Sequence, residues 1–215
     1  MADKMDRRQQ RTKQLLYDAL MSLIEEKGLE HVTVTDIANR AEVNRGTFYL
    51  HYQDVPDMVQ QLKEAVFEQM RTIIVRIDPQ QSIQYANKNE PYPVIIELFE
   101  ELGKHADFYR VMLGPKGDLS YAIQLRKLIS KNVYEKFNYL PRSNGLPVPI
   151  DYMIAFVSSA NLGMIMHWFE SGMSLTPREM GAMMTNIINF GPLTTFGLRD
   201  LPVRSPEDHE QMKET

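Results

Sequence analysis

One short stretch has the residue types and spacing to meet a nucleic acid: Asn44-Arg45-Gly46-Thr47-Phe48-Tyr49-Leu50-His51-Tyr52. Asn44 is a good N-cap for a short helix over about 45–51. Arg45 and Thr47 then fall in its first turn, the part of a reader helix that enters a major groove. Gly46 weakens the helix but lets backbone approach a duplex closely. Phe48 and Tyr52 are four apart, share a face and belong to a core. Tyr49, Leu50 and His51 point elsewhere and can meet phosphates or base edges. A surface helix that contacts nothing has the same spacing, and spacing alone leaves both open.

Other chemistries find less support. Glu97, Glu101 and His105 stand at i, i+4 and i+8 and could grip a divalent ion. Such charged stripes are far more often a solvated face, so no metal is expected. There is no Gly-rich phosphate loop, zinc-protease helix, nucleophile elbow or dinucleotide fingerprint. The 215 residues include no Cys, which removes a thiol nucleophile, a disulfide scaffold and any Cys-ligated metal. Neither an enzyme nor a cofactor is expected. The 24 basic and 28 acidic residues give a net charge of −4, an ordinary globular balance for one medium domain or two small ones.

The first residues are charged and lack the apolar stretch of a secretory signal. Residues 152–169 are uncharged, but Ser158, Ser159 and Asn161 interrupt them and no Lys or Arg flanks them. A spanning helix needs about 20 predominantly apolar residues. The run reads as a helix buried on all sides, so no membrane partner and a cytoplasmic location are expected.

Helical periodicity dominates, and the expected fold class is all-α. Leu15, Leu16, Ala19, Leu20, Leu23 and Ile24 line one side of a helix over 10–27, and Gly28 fits a left-handed cap behind it. Thr33-x-x-Asp36 is a capping-box-like start for a helix over about 34–41 that buries Ile37, Ala38 and Ala41. Glu42-Val43-Asn44 makes a tight turn into the reader stretch. Asp54 and Pro56 open a long helix to about Arg76. Residues 78–92, with Pro79 and Pro91, read as a loop. Further helices are expected at about 93–105, 107–113, 118–139, 150–172 and 176–190. The charged tail 198–215 reads as disordered. Two short helices joined by a three-residue turn, behind a longer helix, form a helix-turn-helix. The residues imply a small three-helix unit over 1–53 with a basic N-terminal arm, then a larger helical unit over 54–197.

From Thr12 to about Leu62 the chain closely resembles the TetR-type transcriptional regulators. The motif is Gly28, then Thr33-Val34-Thr35-Asp36-Ile37-Ala38, then Ala41-Glu42-Val43-Asn44-Arg45-Gly46-Thr47-Phe48-Tyr49, then His51-Tyr52. Farther on, Phe108-Tyr109-x-x-Met112-Leu113-Gly114, Gly117-Asp118 and Trp168-Phe169-Glu170-Ser171-Gly172-Met173 are similar to the C-terminal domain of Firmicutes members, including dihydroxyacetone kinase operon regulators. The resemblance implies that Arg45, Gly46, Thr47, Tyr49, Leu50 and His51 face bases and phosphates, with Thr33 and Thr35 near the backbone. It makes the unit over 1–53 DNA-binding and the unit over 54–197 effector-binding and dimerising. It implies a homodimer on a near-palindromic double-stranded DNA operator, an unknown small-molecule effector, and repression as the default. Leu50 is apolar where many relatives are polar, and can touch a thymine methyl or add no hydrogen-bonded specificity.

Two departures stand out. Relatives commonly carry a Lys about four residues after the position of His51, where Val55 and Pro56 stand here. They often have Gly where Glu42 stands. Residues 1–60 hold eight Lys/Arg against ten Asp/Glu, so the unit lacks the usual basic footprint. Positive charge gathers in residues 1–13, five basic against two acidic. This arm either supplies salt-dependent DNA affinity or is a solvated tail. The acidic balance and the missing Lys leave open a dimeric sensor or co-regulator that binds a protein partner instead of reading DNA.

The apolar residues of 150–172 lie on nearly every side, which implies a partner chain. Ala155, Ser159 and Gly163 form a small-residue stripe. Seven of the fourteen Met fall between 153 and 184, mostly suited to core and dimer packing. Tyr109, Met112, Tyr121, Phe156, Asn161, Met164, His167 and Trp168 are candidates to line an effector cavity. Each alone is more often ordinary core.

Overall fold

A computed structural model describes residues 2–137, 148–195 and 197. These residues form ten α-helices and a 3₁₀ turn, with no strand among them. The first four helices are α1 (Ala2–Lys27), α2 (Val34–Arg40), α3 (Arg45–Tyr49) and α4 (Val55–Ile74). Then come α5 (Pro79–Asn87), α6 (Pro93–Lys104), α7 (Ala106–Leu113), α8 (Leu119–Phe137), α9 (Ile150–Glu170) and α10 (Pro177–Thr195). The expected end of α8 at 138–139 and the expected disordered tail 198–215 lie outside the described residues.

The helix expected over 10–27 starts at Ala2 instead. Lys, Arg and Gln are good helix formers, so the basic stretch continues the helix rather than forming a separate arm. Leu16, Ala19, Leu20, Leu23 and Ile24 are buried, whereas Leu15 is 40% exposed and belongs to the other side. Gly28 ends the helix at φ 86, ψ 148, a conformation that side-chain-bearing residues avoid.

The turn between α2 and α3 carries a local strain. Glu42 stands at φ 53, in the left-handed region, where its Cβ is crowded. Glycine, which the family resemblance leads one to expect here, would take this φ without that crowding. Asp54 accepts from Asp57 N at 2.8 Å and Asp57 accepts from Gln53 N at 2.8 Å, a reciprocal cap for α4.

Residues 78–92 correct the expectation of a loop: most of them form α5. Asp78 accepts from Gln80 N and Gln81 N, and Pro79 occupies the first turn, where its missing N–H leaves no bond unmade. The proline starts a helix rather than breaking one.

The hydrophobic core runs without a break from α1 through α9 and α10. Helix α4 packs on α6 and α8, and its Val55 and Met58 lie in the same core as Phe48 and Tyr52. Helix α10 lies along α6 so closely that a Cβ at Gly181 would stand 2.6 Å from Ile96 Cγ1. Helix α9 lies on α8 and α7. It is not buried on all sides: Leu162, Ile165, Trp168 and Phe169 face inward, whereas Tyr152, Met153, Ala155, Phe156, Ser159 and Gly163 are exposed. Helix α10 kinks at Gly191 (φ 77) and Pro192, just past the end expected at 190. None of the described helices is long and apolar enough to cross a membrane.

Candidate nucleic-acid interface

The site is built on α2, which is locked at its start. Thr33 Oγ1 donates to Asp36 Oδ2 at 2.6 Å and accepts from Asp36 N at 3.2 Å. The Asp36 carboxylate also accepts from Thr33 N and from Lys27 Nζ at 2.7 Å. The Lys27 hydrogen bond, followed by those of Thr33, pulls the Asp36 pKa down to about 2. Thr33 is therefore committed to its capping box, while Thr35 is exposed on the next turn.

Asn44 Oδ1 accepts from Gly46 N at 2.8 Å and sets α3 going. Phe48 is fully buried, and Tyr52 packs on it with ring centroids 5.6 Å apart. These two hold α3 down by the face that their spacing predicts. The opposite face is bare: Arg45, Gly46, Tyr49 and Leu50 are exposed, with Tyr49 at 52% and Leu50 at 80%. The Tyr49 ring is steadied edge-on against Phe48, 5.7 Å away. Thr47 and His51 are half-buried on the flank. The His51 imidazole titrates below its ordinary range, first because burial disfavours the cation and then because Lys13 is near. That proximity joins α1 to the end of α3, a link invisible in the sequence because the two residues lie far apart along the chain.

The electrostatics are uneven. Lys27 pairs with Asp36 and Arg40 pairs with Glu26, so these cations neutralise the unit's own carboxylates. Arg8, Arg11 and Lys13 on exposed turns of α1, and Arg45 on α3, have no such pairing among the described residues. Val55, near the position where the resemblance leads one to expect a Lys, is buried at the start of α4.

The turn between α7 and α8 ties this unit to the rest of the chain. Lys116 Nζ donates to Glu25 O and Glu26 O, both at 2.9 Å, and so caps the end of α1. Two residues on, Asp118 accepts from Lys63 Nζ of α4 at 2.7 Å. The Lys63 side chain is only 8% exposed. Burial pushes the Asp118 carboxyl up, but the bonds from Lys63 and Ser120 outweigh it and hold the pKa below its usual value. The sequence marks this junction only through Gly117-Asp118, and a Cβ at Gly117 would collide with Val111 O. Lys63 itself reads as one more surface lysine.

The eight effector-cavity candidates do not converge on one cavity. Tyr109, Met112 and Tyr121 are core residues of α7 and α8. Tyr109 stacks on Phe169 with centroids 5.4 Å apart, and burial raises the pKa of both Tyr109 and Tyr121 strongly. Met164, His167 and Trp168 instead line an open groove of about 410 Å³ with Gly163, Leu175 and Met183. Trp168 Nε1 donates to Leu175 O at 2.8 Å across its end. Phe156 is 60% exposed and Asn161 half-buried, and neither lines that groove. The reason is geometric: α9 carries Phe156 on its outer face and Phe169, which meets Tyr109, on its inner one. Glu97 pairs with Arg76, and Glu101 with Lys104 and His105, as on an ordinary charged face.

Known proteins match over both halves. Residues 16–62 fit the family described as bacterial regulatory proteins, tetR family. Residues 89–190 fit the transcriptional regulator C-terminal region found in TetR proteins. YxbF of Bacillus subtilis strain 168, an uncharacterized HTH-type transcriptional regulator, is 25% identical over 100 residues, 45% of this chain. The match spans a quarter of that protein's length. A TetR transcriptional regulator from Streptococcus agalactiae superposes with a TM-score of 0.57 at 20% identity, covering 88% of this chain and 99% of the other. The fatty acid degradation regulator FadR of Bacillus halodurans gives 0.53 at 13% identity, covering 87% and 96%. At these identities the two structures speak for the fold alone. The family descriptions concern regulators and not enzymes, and they cover the unit carrying the bare helix as well as the unit behind it: the chain belongs to the TetR family of transcriptional regulators.

Proposed function

We propose that the chain is a homodimeric repressor that reads a near-palindromic operator through α3, with its DNA affinity set by a small-molecule effector in the C-terminal unit. The observation that carries this is the bare outer face of α3, where Arg45, Gly46, Tyr49 and Leu50 are exposed while Phe48 and Tyr52 anchor the helix. Arg45 and Thr47 of the first turn meet base edges; Tyr49, His51 and Thr35 meet phosphates. Thr33 contributes through its position, since its hydroxyl is occupied by Asp36. The functional division runs at residue 53, with the DNA unit before it and the effector and dimer unit from 54 to 197. Reading DNA puts the work in the bacterial cytoplasm.

Dimerisation is supported by the exposed apolar residues of α9 and α10, among them Tyr152, Phe156, Ile188 and Leu193. Two reader helices on one duplex face must sit about 34–36 Å apart. An effector lowers affinity only if it binds more tightly to a dimer with the wrong separation. The groove at Met164, His167 and Trp168 and the aromatic cluster at Tyr109, Met112 and Tyr121 are the two places where it could act.

The test is a footprint of the purified protein on the DNA upstream of its own gene, repeated over a salt series. A protected near-palindrome with steep salt dependence is expected, lost in Arg45→Ala and Tyr49→Ala. Equal, weak binding to any duplex, unaffected by both changes, favours the protein-partner reading that the acidic balance of residues 1–60 motivates.

A further inference from the structure

We infer that α3 recognises thymine by its 5-methyl group, through an apolar shelf made by Gly46 and Leu50. This rests on the operator-binding reading and goes further by naming the base feature that is read. Gly46 and Leu50 are four residues apart at the outer face of the helix, so they are neighbours there. Leu50 is the most exposed large apolar side chain among the described residues, at 80%, and takes no part in the hydrophobic core. Nothing among the described residues explains a leucine at that point.

Gly46 lacks an internal reason as well. It sits in a helix, where glycine is unfavourable. A Cβ added there would meet nothing nearer than Asn44 Oδ1 at 3.4 Å. The fold tolerates a side chain, and the space in front of Gly46 opens outward. A bare backbone patch beside a projecting leucine is a surface that another molecule can approach closely, with an apolar knob at one edge.

The polar groups nearby limit what the shelf can read. An A·T pair is normally distinguished in the major groove either by an Asn or Gln bidentate to adenine or by apolar contact with the thymine methyl. The outward face carries no Asn or Gln with a free amide pair, because Asn44 Oδ1 already accepts from Gly46 N. Arg45 suits guanine. Thr47 is half-buried on the flank, so Leu50 is the projecting apolar group that can tell thymine from cytosine, and its only handle is the methyl.

The test uses the full chain and a duplex that wild type enriches from a random pool. Each dT is replaced singly by dU, which removes the methyl and keeps every hydrogen-bonding group, and affinity is read by fluorescence anisotropy. One thymine per half-site is expected to lose about fourfold on replacement, what burial of one methyl is worth, and about fifteenfold when both half-sites are changed. In Leu50→Ala the penalty at that thymine disappears, and in Leu50→Met it stays. A flat scan with wild type, or an undiminished penalty in Leu50→Ala, overturns the inference and leaves operator binding standing. If no duplex is enriched, both fall.

Discussion

Gly46 and His51 show how single residues of α3 can serve a partner at the expense of the fold. Glycine in a helix costs about 1 kcal/mol relative to alanine, and the open space at Gly46 means the substitution fits. Gly46→Ala is expected to raise the stability measured by urea unfolding by up to about 1 kcal/mol while weakening specific duplex binding. A variant that gains stability and keeps full affinity would show that nothing approaches that backbone. His51 makes the second prediction. Its folded pKa lies below the ordinary 6.5, so the unfolded chain protonates first. Its contribution to folding is complete above about 6.5 and is lost as the pH falls. DNA works the other way, because a phosphate favours the imidazolium. Between about pH 8 and about pH 6, affinity at constant ionic strength should rise in wild type and stay flat in His51→Gln. Parallel profiles would remove His51 from the interface. Most of this layer is legible in the sequence: Phe48 and Tyr52 declare the buried face by spacing alone. The commitment of Thr33 is legible too, in the capping-box spacing to Asp36, whereas the nearness of Lys13 to His51 is not, since tertiary packing sets it.

At the scale of elements, the prolines and charges mislead more than the apolar residues do. Pro79 reads as a breaker but is the first residue of α5, because Asp78 supplies the cap in front of it. The basic segment before Gln14 reads as an arm but is the start of α1. The helices with strong apolar periodicity, α1 after residue 15, α2, α4 and α6, are legible because a buried stripe specifies both their register and their length. The junction between the units is hidden, since a lone Lys63 and a lone Asp118 give no sign of each other. This pair makes the third prediction. Asp118→Ala strands a buried ammonium and should destabilise the chain by about 3 kcal/mol. Lys63→Met combined with Asp118→Leu should recover most of that loss in the same unfolding measurement. The Asp118 pKa is depressed, so the stability it brings is present above about pH 4 and fades on acidification. If Asp118→Ala unfolds at the wild-type midpoint, the junction carries no energy.

At the scale of the whole molecule, the outer faces of α9 and α10 have no partner among the described residues. Phe156 is 60% exposed there, and the small residues Ala155, Ser159 and Gly163 leave room for a second helix to come close. Phe156→Glu places a charge on that face without touching the core. It should shift the molar mass seen by light scattering from dimer to monomer, with an unchanged circular dichroism spectrum. A wild-type chain that is already monomeric would contradict the assembly on which operator spacing depends. The uncharged run 152–169 makes α9 legible as a helix, but its outer half looks like core until the neighbours are known. The effector candidates scatter for the same reason: periodicity places residues on a helix face and does not say which faces meet.

The most direct measurement is the dissociation constant for a duplex selected by the wild type against the same duplex shuffled, at one physiological salt concentration. Recognition through α3 predicts a ratio of at least about a thousandfold, collapsing in Arg45→Ala and Tyr49→Ala while both variants stay folded and dimeric. A ratio near one, or a large ratio that both substitutions leave intact, would contradict it.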